Sequence, residues 1–236
     1  MFIAGFPAGP WGTNCFVVAT APGAECVVVD PGKDAAPGIA DVVREHRLKP
    51  VAVLLTHGHL DHMWSVTPVS GTYDATAWIH PGDRHLLTDP MRGLSPETAQ
   101  MLLGQRLTFV EPDRVEELAD GVTVSLAGLD FVVDHTPGHT EGSVAFRTPY
   151  DADDVSEVMF SGDLLFQGSI GRTDLPGGDH PTMLRSLTEK VLPLADDIVV
   201  LPGHGDQTTI GRERATNPYL LELLDTGAAG RTTRGL

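Results

Sequence analysis

Residues 51–62 read Val51-Ala52-Val53-Leu54-Leu55-Thr56-His57-Gly58-His59-Leu60-Asp61-His62. Five consecutive apolar residues that stop at a polar turn predict a strand covered on both faces. On its N-terminal side, residues 37–47 place Ile39, Val42 and Val43 at helical spacing. Further back, residues 14–19 and 25–30 are β-type runs joined by Thr20-Ala21-Pro22-Gly23, a hairpin signal. Asp30-Pro31-Gly32 stops the second run, and Pro50 caps the helical unit. On the C-terminal side, a helical stretch begins at Met63, a strand follows near 76–79, and 81–118 reads as helices and loops. Residues 122–126 and 129–134 pair around Ala127-Gly128. Strands are also expected at 143–147, 158–160 and 198–201, and helices at 182–192 and 212–224. Strands that interleave with helices, with hairpins in each half, predict a layered α/β domain of mixed sheets covered by helices. A single domain over 1–225 is expected, with a frayed Gly-, Thr- and Arg-rich tail over 226–236.

The 236 residues carry 32 Asp plus Glu against 16 Lys plus Arg, a net charge of −16. That balance argues against a nucleic-acid partner, whose phosphates demand basic residues. The carboxylates are scattered and read as a solvated surface. No apolar run approaches the ~20 residues of a membrane span. MFIAGFPAGPW has no basic start, so no signal peptide is expected and a cytoplasmic protein is the default. Cys15 and Cys26 lie in strand-like runs without metal-type spacing and read as reduced core residues.

The chain has ten histidines, and three of them cluster with an acid as His57-x-His59-x-Asp61-His62. At the chain's own residue frequencies this pattern is expected about 0.002 times by chance, so accident does not explain it. Two imidazoles leaving a strand at i and i+2 can converge on one centre, and Asp61 and His62, a turn later, can face a neighbouring one. Imidazole and carboxylate suit Zn²⁺, Fe²⁺ or Mn²⁺. Three further candidates each follow a strand-like run: His139 in Thr136-Pro137-Gly138-His139, Asp163 in Ser161-Gly162-Asp163, and His204 in Pro202-Gly203-His204-Gly205. His46, His80, His85, His135 and His180 read as surface or structural.

This set resembles the metallo-β-lactamase fold superfamily over nearly the whole chain, from Asn14-Cys15 and Val29-Asp30-Pro31-Gly32 to Pro202-Gly203-His204-Gly205. The resemblance implies a four-layer αβ/βα sandwich of two mixed β-sheets flanked by helices, with the metals at the sheet edge. It implies two divalent ions, zinc first, with iron or manganese possible in its place. His57, His59 and His139 would hold one ion, Asp61, His62 and His204 the other, and Asp163 would bridge them. Asp61 and Asp163 carry over as the catalytic carboxylates. Asp30 would hydrogen-bond a ligand imidazole, and Arg172 and Asp174 would shape the pocket or pair with each other.

Within that superfamily, residues 160–174 and the ending Thr209-Ile210-Gly211-x-Glu213-Arg214-x-x-Asn217-Pro218 look like the short glyoxalase II-like group. The implied reaction is hydrolysis of a 2-hydroxyacyl thioester by a hydroxide shared between the ions, with a small-molecule substrate. A bridging aspartate argues against antibiotic hydrolysis. The Lys-Phe-Tyr glutathione-binding segment of the larger enzymes is replaced by Gly171-Arg172-Thr173-Asp174-Leu175-Pro176, and their C-terminal helical domain shrinks to about one helix. The thiol carrier is therefore open. Gly171-Arg172-Thr173-Asp174 also resembles persulfide dioxygenases, which would hold one iron with His57, His139 and Asp163. The same donors would also serve a lactone or ester hydrolase, or a non-catalytic metal-binding protein. The sequence does not indicate an oligomeric state.

Overall fold

The run at 51–55 becomes the end of a strand inside a six-stranded sheet, in a computed structural model that describes residues 1–102, 107–152 and 154–232. The first sheet contains, in spatial order, β1 (Phe2–Ala8), β2 (Thr13–Ala19), β3 (Glu25–Val29), β4 (Lys49–Leu54), β5 (Thr76–Ile79) and β6 (Val115–Glu117). β1, β2 and β3 are antiparallel neighbours, and β3 to β6 run parallel. The second sheet is built from the meander β7 (Thr123–Leu126), β8 (Leu129–His135), β9 (Val144–Ala152) and β10 (Val155–Gly162). A two-stranded ribbon, β11 (Leu165–Phe166) and β12 (Ser169–Ile170), follows β10. The second sheet then resumes with β13 (Val199–Pro202), parallel to β10, and β14 (Thr208–Thr209). Both sheets are thus mixed.

Period-2 alternation sorts the apolar residues into three cores. Phe16, Val18, Val27, Val29, Ala52 and Leu54 face the opposite sheet and meet Phe131, Val133, Phe146, Val158 and Phe160. Their neighbours Cys15, Val17, Cys26, Val28, Val53 and Leu55 face the other way, under Ile39 of α1 (Ala35–His46), Met63 of α2 (Leu60–Met63), and Val66 and Val69 of α3 (Val66–Tyr73). That is why 51–55 has no polar residue: β4 is buried from both sides. Two short helices, α4 (Pro81–Arg84) and α5 (Pro96–Leu102), lie between β5 and β6. On the far face of the second sheet, Ala145, Met159 and Val200 pack under Met183 of α6 (His180–Ser186), Ile210 of α7 (Ile210–Thr216) and Leu220 of α8 (Pro218–Thr232). The result is helix, sheet, sheet, helix, the expected four layers.

The differences from expectation are at two edge strands, at Pro50 and in the lengths of β9 and β10. β1 and β6 carry no clear strand signal in the sequence. β1 contains Gly5 and Pro7, which an edge strand tolerates, and β6 is three residues long with two glutamates. Pro50 does not cap the helical unit but lies inside β4, where the register with β3 shifts. β9 and β10 run longer than their apolar residues alone suggest. The Ala127-Gly128 hairpin is as expected, with φ of 53° and 74° at the two residues, the pattern of a two-residue type I′ turn. Cys15 and Cys26 are buried and unbridged. The helix α8 backbone reaches Thr232, inside the segment expected to fray, and 233–236 lie outside the described residues. Among the described residues no helix is long and apolar enough to cross a membrane.

Candidate metal centre

All seven candidate ligands leave the C-terminal ends of strands. His57 and His59 follow β4, and Asp61 and His62 occupy the first turn of α2. His139 lies beyond β8, Asp163 follows β10, and His204 follows β13. In open α/β sheets this is the edge where ligands gather. Asn14 holds the two sheets together there: its side-chain amide donates to the carbonyls of Pro202 (3.0 Å) and Gly205 (2.8 Å), on either side of His204. Gly203 is required by close approach, since a Cβ at that position would fall 2.4 Å from Asp163 Oδ1.

The donors converge in three overlapping groups, each with ligand atoms within 4.8 Å of one another: His57, His59 and His139; Asp61, His62 and His204; and His57, His62 and Asp163. In the first, His59 Nδ1 and His139 Nε2 are 2.8 Å apart. In the second, His204 Nε2 lies 3.3 Å from His62 Nε2 and 3.1 Å from Asp61 Oδ2. Asp163 stands between them, with Oδ1 3.3 Å from His62 Nε2 and Oδ2 3.5 Å from His139 Nε2 and 3.7 Å from His204 Nε2.

A surrounding set of hydrogen bonds orients the rings. Buried Asp30 accepts from the Thr56 amide (2.8 Å) and hydroxyl (2.6 Å) and from His62 Nδ1 (3.0 Å), which turns His62 Nε2 into the site. The Thr56 hydroxyl lies 3.1 Å from His57 Nδ1. His139 Nδ1 donates to the Arg172 carbonyl (2.7 Å), and Thr13 donates to Asp61 Oδ2 (3.2 Å). Sequence reasoning misses Thr13 and Thr56, because a lone threonine carries no pattern.

The electrostatics are unbalanced without a cation. Burial, then the adjacent imidazoles of His62 and His139, holds His57 far below its usual value. Burial and His139 bring His59 down to about 3. Burial opposes the charged form of Asp163 too, but His62 outweighs it and holds the carboxyl at about 2. Burial likewise disfavours protonated His62, yet Asp61, Asp163 and Asp30 raise its pKa well above normal. Within the cluster, His57 Nε2 and Asp163 Oδ1 are buried without a hydrogen-bond partner. Neutral imidazole lone pairs and carboxylates crowded together and left unpartnered are the donor set that divalent cations satisfy.

The donors open onto a cleft of about 480 Å³ walled by Trp11, Leu60, Leu94, Phe166, Ile170 and Leu175. Arg172 is on its lining, but its guanidinium is engaged at 2.7 and 2.8 Å by Asp174, which is exposed and does not line the cleft. The β11–β12 ribbon forms one wall. It is held from behind by buried Glu213, which accepts from the Gly168 amide (2.7 Å), and by Asn217, which donates to the Ser169 carbonyl (3.0 Å).

A family profile described as the metallo-beta-lactamase superfamily matches residues 8–204. A protein of Mycobacterium tuberculosis is 49% identical over 93% of this chain and 98% of its own length. The hydroxyacylglutathione hydrolase GloC of Haemophilus influenzae is 37% identical over 82% of this chain and 86% of its own. Among solved structures, the BLEG-1 B3 metallo-beta-lactamase superposes with a TM-score of 0.79 at 40% identity, covering 93% of this chain and 99% of that one. TTHA1623 in a di-iron-bound form gives 0.73 at 37% identity, covering 93% and 100%. By profile, relatives and architecture, the chain belongs to the metallo-beta-lactamase superfamily.

Proposed function

We propose that the chain is a binuclear metal-dependent hydrolase that cleaves a 2-hydroxyacyl thioester, in the manner of glyoxalase II. The observation that carries this reading is the pair of three-donor groups with Asp163 in reach of both. His57, His59 and His139 would hold one ion and Asp61, His62 and His204 the other, with Asp163 common to both. Zinc suits this imidazole and carboxylate set, as do iron and manganese. Bound divalent cations supply Lewis acidity, which lowers the pKa of water toward neutrality and polarises a carbonyl. The chain's part is to aim the donors. Asp30 and the Arg172 carbonyl each fix one ring nitrogen of a ligand histidine and so leave the other facing the site. The apolar walls would pack against the acyl group. A thiolate leaves readily, since a thiol pKa is only about 8.5, so no dedicated general acid is needed. Both cysteines are buried in the core behind the sheet, away from the cleft, which leaves nucleophilic thiol catalysis without a candidate.

Two other activities are separable by the same experiment. β-Lactam hydrolysis is favoured by the 40% identity to BLEG-1, although Asp163 argues against it. A one-iron persulfide dioxygenase would use His57, His139 and Asp163 and leave His59, Asp61, His62 and His204 idle. The test is elemental analysis of purified protein, then assays with S-lactoylglutathione, a lactone, a chromogenic cephalosporin and a persulfide. About two ions per chain and thioester turnover are expected. Oxygen consumption with the persulfide, or turnover of the cephalosporin alone, would replace the thioesterase reading.

A further inference from the structure

Outside the donor set, one buried carboxylate is wired to the ligand loops. Asp83 lies in α4, beyond the end of β5, and is 1% exposed. Its Oδ2 accepts from the Gly58 amide (2.8 Å) and from the Thr140 hydroxyl (2.6 Å), and its Oδ1 accepts from the Gly142 amide (2.7 Å). Among the described residues no lysine or arginine pairs with it. Gly58 stands between His57 and His59, and Thr140 follows His139. Every donor to Asp83 thus belongs to one of the two loops that carry the first donor group. The contact is backbone-close, since a Cβ on Gly142 would fall 2.6 Å from Asp83 Cγ.

The arrangement mirrors that of Asp30. The amides on either side of His57 are each held by a different buried carboxylate at 2.8 Å, Thr56 by Asp30 and Gly58 by Asp83. Asp30 reaches on to His62, in the second group, whereas Asp83 reaches on to the His139 loop and completes the first. A carboxylate that gathers two loops fixes their separation, and here that is the separation of the His59 and His139 nitrogens, 2.8 Å.

We propose that Asp83 is a positioning residue that sets the geometry, and hence the affinity, of the ion held by His57, His59 and His139, while leaving the ion held by Asp61, His62 and His204 largely alone. This rests on the binuclear reading above. It makes Asp83 the counterpart of Asp30 for the other ion, acting through two backbone amides and a hydroxyl rather than through an imidazole.

The test is zinc binding to Asp83→Asn, measured by competition with a chromogenic chelator alongside thermal melting of the metal-free protein. The amide keeps the shape but turns one acceptor into a donor facing an N–H or hydroxyl. One of the two zinc affinities should fall by about 10–100-fold, the range for lost outer-shell partners, with the other within a few-fold of wild type. Equal, wild-type affinities in the folded variant would overturn the proposal, whatever its melting temperature. If Asp83→Asn does not fold, Thr140→Val removes a single donor to the same carboxylate. It should lower the same affinity by a smaller factor, and unchanged affinities would again overturn the role. A wild type that binds zinc but cleaves no thioester removes only the substrate reading. A wild type that binds no zinc removes the binuclear reading and the role of Asp83 with it.

Discussion

At His62 the two ring nitrogens have different partners: Nδ1 is tied to Asp30, and Nε2 faces Asp61, Asp163 and His204. Asp30 manages this from a left-handed backbone, φ 48°, that few residues accept. Asparagine is among the residues that do, so Asp30→Asn isolates the loss of the carboxylate from backbone strain. Zinc affinity should fall about 10–100-fold, read by chelator competition on folded protein. The seven donors are legible in the sequence because four fall within six residues and each of the others sits beside a glycine after an apolar run. Asp30 enters through its Asp-Pro-Gly turn. Asp83 and Thr13 are not legible, since their partners lie 25 to 59 residues away for Asp83 and 48 for Thr13, and Thr56, although it touches the adjacent His57, is held by Asp30 26 residues away.

At the scale of elements, the strands that two layers cover are readable, the edge strand β7 is read through its hairpin turn, and the edge strands β1 and β6 are not. A strand buried on both faces must be apolar throughout, so β4 announces itself. β1 and β6 satisfy only one neighbour and tolerate Gly, Pro and Glu. A helix start offers a pH-dependent test. His80 caps α4 by accepting from the Gly82 amide at Nδ1 (3.2 Å) and stacks on His135 with ring centres 4.0 Å apart. Burial and the adjacent His135 ring hold His80 below its usual value. A folded-state pKa below the unfolded value of about 6.5 gives a contribution that is complete above that value and lost as pH falls through the folded one. Urea unfolding from about pH 7.5 to about pH 5 should therefore cost wild type more stability than His80→Gln, and parallel profiles would refute the assignment.

For the whole molecule, the interleaving of strands and helices fixes the layers, but where the layers open is decided by chain ends and loop closures that no short window contains. The Asn14 bridge to the Pro202 and Gly205 carbonyls is one such closure. Because the donor groups draw on both sheets, ions bound as proposed would fasten one half of the sandwich to the other. Chelation should lower the melting temperature, and zinc at about 100 times its dissociation constant should restore about 2.7 kcal/mol. A melting curve indifferent to chelator would exclude this linkage. Of the 32 acids, Asp61 and Asp163 stand among the donors and Asp30 orients His62 beside them.

The order of the donors along the chain has a consequence for biosynthesis. His62 and His204, whose rings meet at 3.3 Å, are 142 residues apart. A growing polypeptide presents His57, His59, Asp61 and His62 while the second sheet is still untranslated. Until His139, Asp163 and His204 emerge, an ion can find only part of each donor group. On the proposed donor assignment, faithful metal loading would be a late event, timed by completion of the second sheet rather than by the first appearance of the histidine motif.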